Sequence, residues 1–386
     1  MLNPFRRREP APAVVRAPPE RKSAGLVSLQ ALHAAWTPTS YAALAREGHA
    51  RNPIVHACTR MVGDAVSSCA LVATVDGAPV EEHPALALVA TPNETQSGTQ
   101  MLEAMAGHLL LSGDAFLRGV SLNDELRALH VLRPDRIRPL ADADGWVSAY
   151  EYRTARHTER VAAEEMLHVA LFNPLDDHDG FPPLAAAAMA LDVHNAAMRW
   201  NKALLDNSAR PSGALVYDVA DANLSSEQFE RLKAELEAGY AGAARAGRPL
   251  LLEGGLDWKA MSLSPRDMDF MEARNGAARD IALAFGVPPM LLGIPGDATY
   301  SNYAEAQRAF WRGTVLPLAD RILGGLGRFL SLHAGERIAL GVDRDKVSAL
   351  SGEREAMWRR VGDADFLSRA EKRAALGLPI EEGAPR

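Results

Sequence analysis

Cysteine is nearly missing from this sequence: Cys58 and Cys69 are the only two among 386 residues. Read as parts of one helix, they stand eleven residues apart, a rise of roughly 16 Å, whereas a disulfide needs α-carbons within about 7 Å. Two free thiols in a reducing compartment are the expectation. Long apolar runs are missing too. No stretch approaches the length of a membrane span, and Arg6-Arg7-Arg8 is followed by Pro10, Pro12, Pro18 and Pro19 where a secretory signal would carry its apolar core. This reads as a cytoplasmic, non-membrane protein.

Positive charge is also short. The 42 Lys and Arg are outnumbered by 49 Asp and Glu, a formal net charge of -7. Such a chain is not built to grip nucleic acid by neutralising phosphates, so any DNA cargo must slide. HExxH, GxxxxGK[ST], GxSxG and CxxC patterns are all missing, which leaves hydrolase, ATPase and zinc readings without their usual support and implies no cofactor. The best case for chemistry is Asp176-Asp177-His178-Asp179, whose carboxylates and imidazole are the donors of a metal-dependent hydrolase. Four adjacent donors rarely converge on one ion, and the flanking Asn173-Pro174 and Gly180 mark a turn. No catalytic or metal-ligating residue is assigned.

What is present is a globular protein: 47% hydrophobic residues over a length that suits two or three domains. Residues 1–47 are rich in Pro and Ala with a basic start, and support at most a short helix near Ala31 to Ala35. From Asn52 the pattern turns helical. Pro53 suits a first turn, and Ile54, Ala57, Met61, Ala65 and Cys69 recur on one face. Ala70 to Val75, Asp76-Gly77 and Pro79 to Glu81 read as a hairpin, because Asp-Gly tolerates positive φ. A helix at Gly98 to Leu111 precedes strand candidates Ala115–Val120, Leu126–Leu132, Val147–Arg153 and Met166–Leu171.

Leu184 to Asp206 has no Gly or Pro, and Ala187, Leu191, His194, Met198 and Leu205 share a stripe. A strand, helix, strand unit follows: Ala214–Tyr217, Ser226–Tyr240, then Pro249–Glu253 leading into Leu256–Met261. A second long helix opens at Ser264, Pro265 and Asp267 and closes at Gly286 with Pro288 and Pro289. After the Gly/Pro-punctuated loop Gly293 to Asn302, an amphipathic run from Tyr303 to His333 should kink at Pro317. Charged helical segments end the chain.

This order resembles the portal proteins of tailed bacteriophages, siphophage type, and of phage-like gene transfer agents. Three stretches carry the resemblance: Asp179-Gly180-Phe181-Pro182-Pro183-Leu184, Asn207-Ser208-Ala209-Arg210-Pro211-Ser212-Gly213, and Thr299-Tyr300-Ser301-Asn302 with Glu305, Phe310 and Leu316-Pro317. Leu129 to Pro139 together with Glu165-Met166-Leu167-His168 looks like the paired wing strands of that family. An excess of Arg over Lys fits a GC-rich bacterial host and a gene transfer agent.

The resemblance implies an α+β, mainly helical fold with the following parts: a flexible arm (1–47), a wing (48–183), stem helix 1 (184–210), a clip (211–263), stem helix 2 (264–289), a tunnel loop (290–303), a kinked wing helix (304–333) and a short crown (334–386). It implies a ring, typically of twelve subunits, assembled in the bacterial cytoplasm and then seated at a capsid vertex. Double-stranded DNA would pass through it without sequence preference. The tunnel loop (Gly293, Gly296, Asp297, Thr299, Tyr300, Ser301, Asn302) would collar that DNA with short polar groups. The clip helix (Glu227, Glu230, Arg231, Lys233, Glu237) would dock the terminase large subunit and later a head-tail adaptor. The major capsid protein would surround the ring. A structural adaptor without a channel is the alternative that the long helices alone allow.

Overall fold

The structure, a computed structural model, describes residues 36–206, 213–217, 227, 230–231, 256–260, 270–295 and 300–377. The first substantial helix, α1 (Pro53–Ser67), starts where its side chains dictate. The Asn52 carboxamide oxygen accepts the N–H groups of Ile54 and Val55 at 3.0 and 3.1 Å, and Pro53 fills a position whose N–H would go unused. Its buried face is Val55, Cys58, Val62 and Val66. The expected face is therefore rotated by one residue, with Ile54, Met61 and Ala65 packed around its margin. Cys69 lies beyond the helix cap Ser68 and does not share the helix of Cys58. Both thiols are free and buried, and burial pushes Cys58 up to about 12 and Cys69 up to about 11, so neither is a thiolate near neutrality.

Strands β1 (Leu71–Val75) and β2 (Ala78–Val80) form the expected hairpin, turning at Asp76 (φ 50) and Gly77 (φ 86), the two positive φ angles of a type I′ turn. Helix α2 (Pro84–Ala90) is followed by α3 (Gly98–Ser112), which carries a reciprocal cap between Ser97 and Gln100. Next come β3 (Asp114–Leu122), β4 (Glu125–Leu132), β5 (Ile137–Ala141), β6 (Val147–Arg153), β7 (Thr158–Ala162) and β8 (Met166–Ala170). They make two antiparallel three-stranded sheets, ordered β4-β3-β8 and β5-β6-β7. The segments expected to pair with each other, β4 and β8, instead flank β3 on opposite sides. Strands β5 and β7 were not expected. Pro139 weakens the strand signal of β5, and only Val161 is buried in β7, too thin an alternation to read.

A short turn of helix, Pro183–Ala186, breaks at Ala187 (φ −97, ψ 12) before α4 (Ala188–Asp206), so the long helix expected from Leu184 is two pieces. Strands β9 (Gly213–Tyr217) and β10 (Leu256–Ala260) pair antiparallel. Helix α5 (Phe270–Ala284) packs against α4 and ends at Gly286, φ 65. The expected start at Ser264 to Asp267 lies outside the described residues. Helix α6 (Tyr300–Phe310) passes through a π turn, Trp311–Val315, into α7 (Leu316–Ala334). The irregularity tied to Pro317 thus falls in the turn before it, where wider spacing makes room for the proline ring against the carbonyl that receives no N–H from it. Strand β11 (Ile338–Val342) returns to pair with β1, giving the order β11-β1-β2. Helices α8 (Ser351–Asp363) and α9 (Arg369–Ala375) close the described chain and bury no residue.

One core joins α1, α3 and α7 to the faces of β3, β4 and β11 through Val62, Met105, Leu109, Leu117, Leu129, Ile322 and Leu326. Each such side chain contributes roughly 1.5 to 3 kcal/mol of burial. A second, smaller cluster of Phe116, Tyr150, Val161 and Met166 lies against β5–β7. Among the described residues no helix is long and apolar enough to cross a membrane.

Candidate functional site

Two polar junctions tie the sheet-bearing part of the chain to α4 and the turn that precedes it. In the first, α3 ends at Gly113 (φ 84) and the chain there meets Gly180, in the turn before Pro183–Ala186. The contact is backbone on backbone: a Cβ added to Gly180 would stand 2.1 Å from the Gly113 carbonyl oxygen. Asp114, only 5% exposed, spans the corner. Its Oδ1 accepts the Gly180 N–H at 2.8 Å and lies 2.7 Å from His168 Nε2. His168 in turn stacks on Phe116, with ring centroids 4.3 Å apart. The Asp-Gly-Phe-Pro-Pro-Leu stretch thus has a physical reason, since only glycine lets the turn approach the start of β3 this closely. Burial, together with the charges of Asp114 and Asp176, raises the Asp179 carboxyl above its ordinary range.

In the second junction, Asn52 and His194 are each 1% exposed. The Asn52 amide nitrogen donates to Asn195 Oδ1 at 2.9 Å and reaches His194 Nδ1 at 3.0 Å, while the Asn195 amide donates to the Glu47 carbonyl at 3.0 Å. Because that amide is a donor, His194 Nδ1 must accept, so the ring is neutral. Burial, and then the Arg274 charge, lowers its pKa. This network spans 142 positions of sequence, beyond the reach of any local spacing rule.

His108 follows the same logic more strongly. Its Nδ1 lies 3.1 Å from the Tyr41 hydroxyl, and burial lowers its pKa to about 4. The folded state therefore binds fewer protons than the unfolded chain, and stability present above about pH 6.5 is lost as pH falls toward 4. Urea unfolding at pH 5 is expected to give about 2 kcal/mol less stability than at pH 7.5 from this group. His108→Gln should flatten that slope, and an unchanged slope would refute the assignment.

Of the expected tunnel-loop residues, Gly293 (φ 70) ends the 3-10 turn Pro289–Leu292. Tyr300, Ser301 and Asn302 belong to the first turn of α6, not to the loop, because the helix starts three residues earlier than its apolar period suggested. Gly296, Asp297 and Thr299 lie outside the described residues. In the expected clip helix, Glu227, Glu230 and Arg231 are helical and exposed, whereas Lys233 and Glu237 lie outside the described residues. The Asp176–Asp179 cluster has a structural task. Asp176 Oδ1 accepts the N–H groups of His178 and Asp179 at 2.7 and 2.9 Å, which holds its carboxyl below the usual range. Among the described residues no group of three His, Cys, Asp or Glu side chains is placed to hold a metal ion.

A family model described as phage portal protein matches residues 53–377. An uncharacterised protein of Rickettsia bellii is 37% identical over 87% of this chain and 89% of its own length. Among solved structures, the neck of an empty GTA particle computed with C6 symmetry is 48% identical, with TM-score 0.72, covering 90% of this chain and 96% of that one. The neck of a native GTA particle computed with C12 symmetry is also 48% identical, with TM-score 0.70, covering 90% and 95%. The chain belongs to the phage portal protein family, and its fold is the portal fold.

Proposed function

We propose that this chain is one subunit of a ring-shaped channel at a single capsid vertex, through which double-stranded DNA is packaged and ejected. The observation that carries this reading is the 48% identity, over 90% of the chain, with a protein of a GTA particle neck computed with twelvefold symmetry. The subunit is a structural element, and the force for packaging comes from an ATP-driven partner. Gly293 to Asn302 borders the DNA, and Glu227, Glu230, Arg231, Lys233 and Glu237 face the terminase and then a head-tail adaptor, with the capsid protein around the rim. The formal charge of -7 per subunit supports a wall that does not adhere. A basic lining would bind the polyanion and stall it. Assembly takes place in the bacterial cytoplasm, before the ring is built into the particle.

The test is direct. Negative-stain microscopy and light scattering of the purified chain should give rings with a central hole. A monodisperse monomer or dimer across salt and protein concentrations would overturn the ring and leave the adaptor without a channel.

A further inference from the structure

The junction between Asn52 and His194 has no freedom to reverse. Asn52 Oδ1 is committed to the N–H groups of Ile54 and Val55, which open α1. Turning the carboxamide over would aim its NH2 at those N–H groups, so the nitrogen must face α4. Asn195 is fixed in the same way, because its NH2 donates to the Glu47 carbonyl and its oxygen therefore meets the Asn52 amide. For His194 Nδ1, 3.0 Å from the Asn52 nitrogen, the role of acceptor is all that remains. All three side chains are buried, so water is not at hand to replace a bond that breaks.

A proton on Nδ1 would set N–H against N–H. Turning the ring over presents C–H instead and still leaves the Asn52 amide short of an acceptor. The new charge meets no carboxylate either. On α5, Arg274 acts on the ring with the same sign. Glu47, on the π turn Leu44–His49, gives its carboxylate to Arg51 at 2.8 Å, and Asp192, on α4 itself, accepts the Thr37 N–H and hydroxyl. A protonated His194 is therefore accommodated only if α1 gives up its cap or α4 draws away from Asn52.

We infer that Asn52, His194 and Asn195 form a proton-operated catch, which holds α4 to the start of α1 while His194 is neutral and releases it when the ring is protonated. The catch lies within one subunit and stands whether or not the chain forms rings. Burial, and then Arg274, lowers the pKa of His194 in the fold, so the folded junction binds fewer protons than the unfolded chain. Its grip is complete above the ordinary histidine value of about 6.5 and is lost as pH falls below it. His108 weakens the whole fold in acid, whereas the catch acts at one joint, and the two are told apart by where backbone protection is lost.

Hydrogen exchange of the full-length protein, read by mass spectrometry at pH 7.5 and 5.5 and corrected for intrinsic rates, tests the catch. On going to pH 5.5, peptides from α1 and from residues 188–200 of α4 should lose about tenfold more protection than peptides from α7, which lies in the main core. In His194→Gln, whose side chain does not titrate, that excess should vanish. Asn52→Asp should invert it. The carboxylate loses the Asn195 bond at both pH values, but one oxygen keeps the cap and the other accepts from a protonated ring, so these peptides should gain protection relative to α7 at pH 5.5. Wild-type peptides that lose protection only in step with α7 would overturn the catch, and so would an undiminished excess in His194→Gln. If a variant fails to fold, the wild-type comparison with α7 still decides.

Discussion

Gly180→Ala is expected to cost roughly 3 to 5 kcal/mol, in the range reserved for substitutions that force backbone apart. The added methyl would meet the Gly113 carbonyl at 2.1 Å, and the obstacle is main chain on both sides, not the end of a flexible side chain. Gly113 cannot retreat, because its positive φ ends α3 and the next residue begins β3. If the turn retreats instead, Asp114 loses the Gly180 N–H while still buried beside His168, leaving acceptor capacity unmet at a further cost of about 1 to 3 kcal/mol. Urea midpoints measure the effect. Gly352→Ala is the control, since nothing lies within 4 Å of its added methyl and its helical site favours Ala by up to about 1 kcal/mol. Equal midpoints for Gly180→Ala and the parent would show that the corner is not held by contact.

Asp297→Lys addresses the loop. In a twelvefold ring the substitution replaces twelve acids with twelve cations at one level of the channel. Even if only six engage phosphates, affinity for double-stranded DNA should fall by about a thousandfold between 50 and 200 mM salt. The variant should therefore form normal rings that retain DNA at low salt and release it at high salt, with fewer filled particles produced. Rings that retain no more DNA than the parent at 50 mM salt would place Asp297 away from the cargo.

Much of the architecture was legible because its signals are local. Asn52-Pro53 announces a cap, Asp76-Gly77 a hairpin, and the Gly/Pro-free stretch ahead of Asp206 a long helix. The break at Ala187 was not legible, since alanine favours the helix and no glycine or proline marks the position. The start of α6 was misplaced because Tyr300, Ser301 and Asn302 look like turn residues but open a helix. The junctions escaped for another reason. Asp114 finds Gly180, and Asn52 finds His194, only after distant segments have packed, and no spacing in the chain encodes those meetings. The Asp-Gly-Phe-Pro-Pro-Leu stretch was noticed as a family-like feature, yet the glycine-on-glycine contact that requires it became visible only in three dimensions.

The strand pairing β11-β1-β2 has a consequence for biogenesis. Leu71–Val75 leaves the ribosome well before its partner Ile338–Val342, with residues 76–337 still to be translated between them. At ordinary elongation rates the open edge waits for tens of seconds. During that interval it is free to capture the corresponding strand of a neighbouring nascent chain on the same message, producing domain-swapped dimers. A polysome is a crowded place for an unpaired edge, and the shortness of β1, only Leu71–Val75, keeps it from being an inviting template.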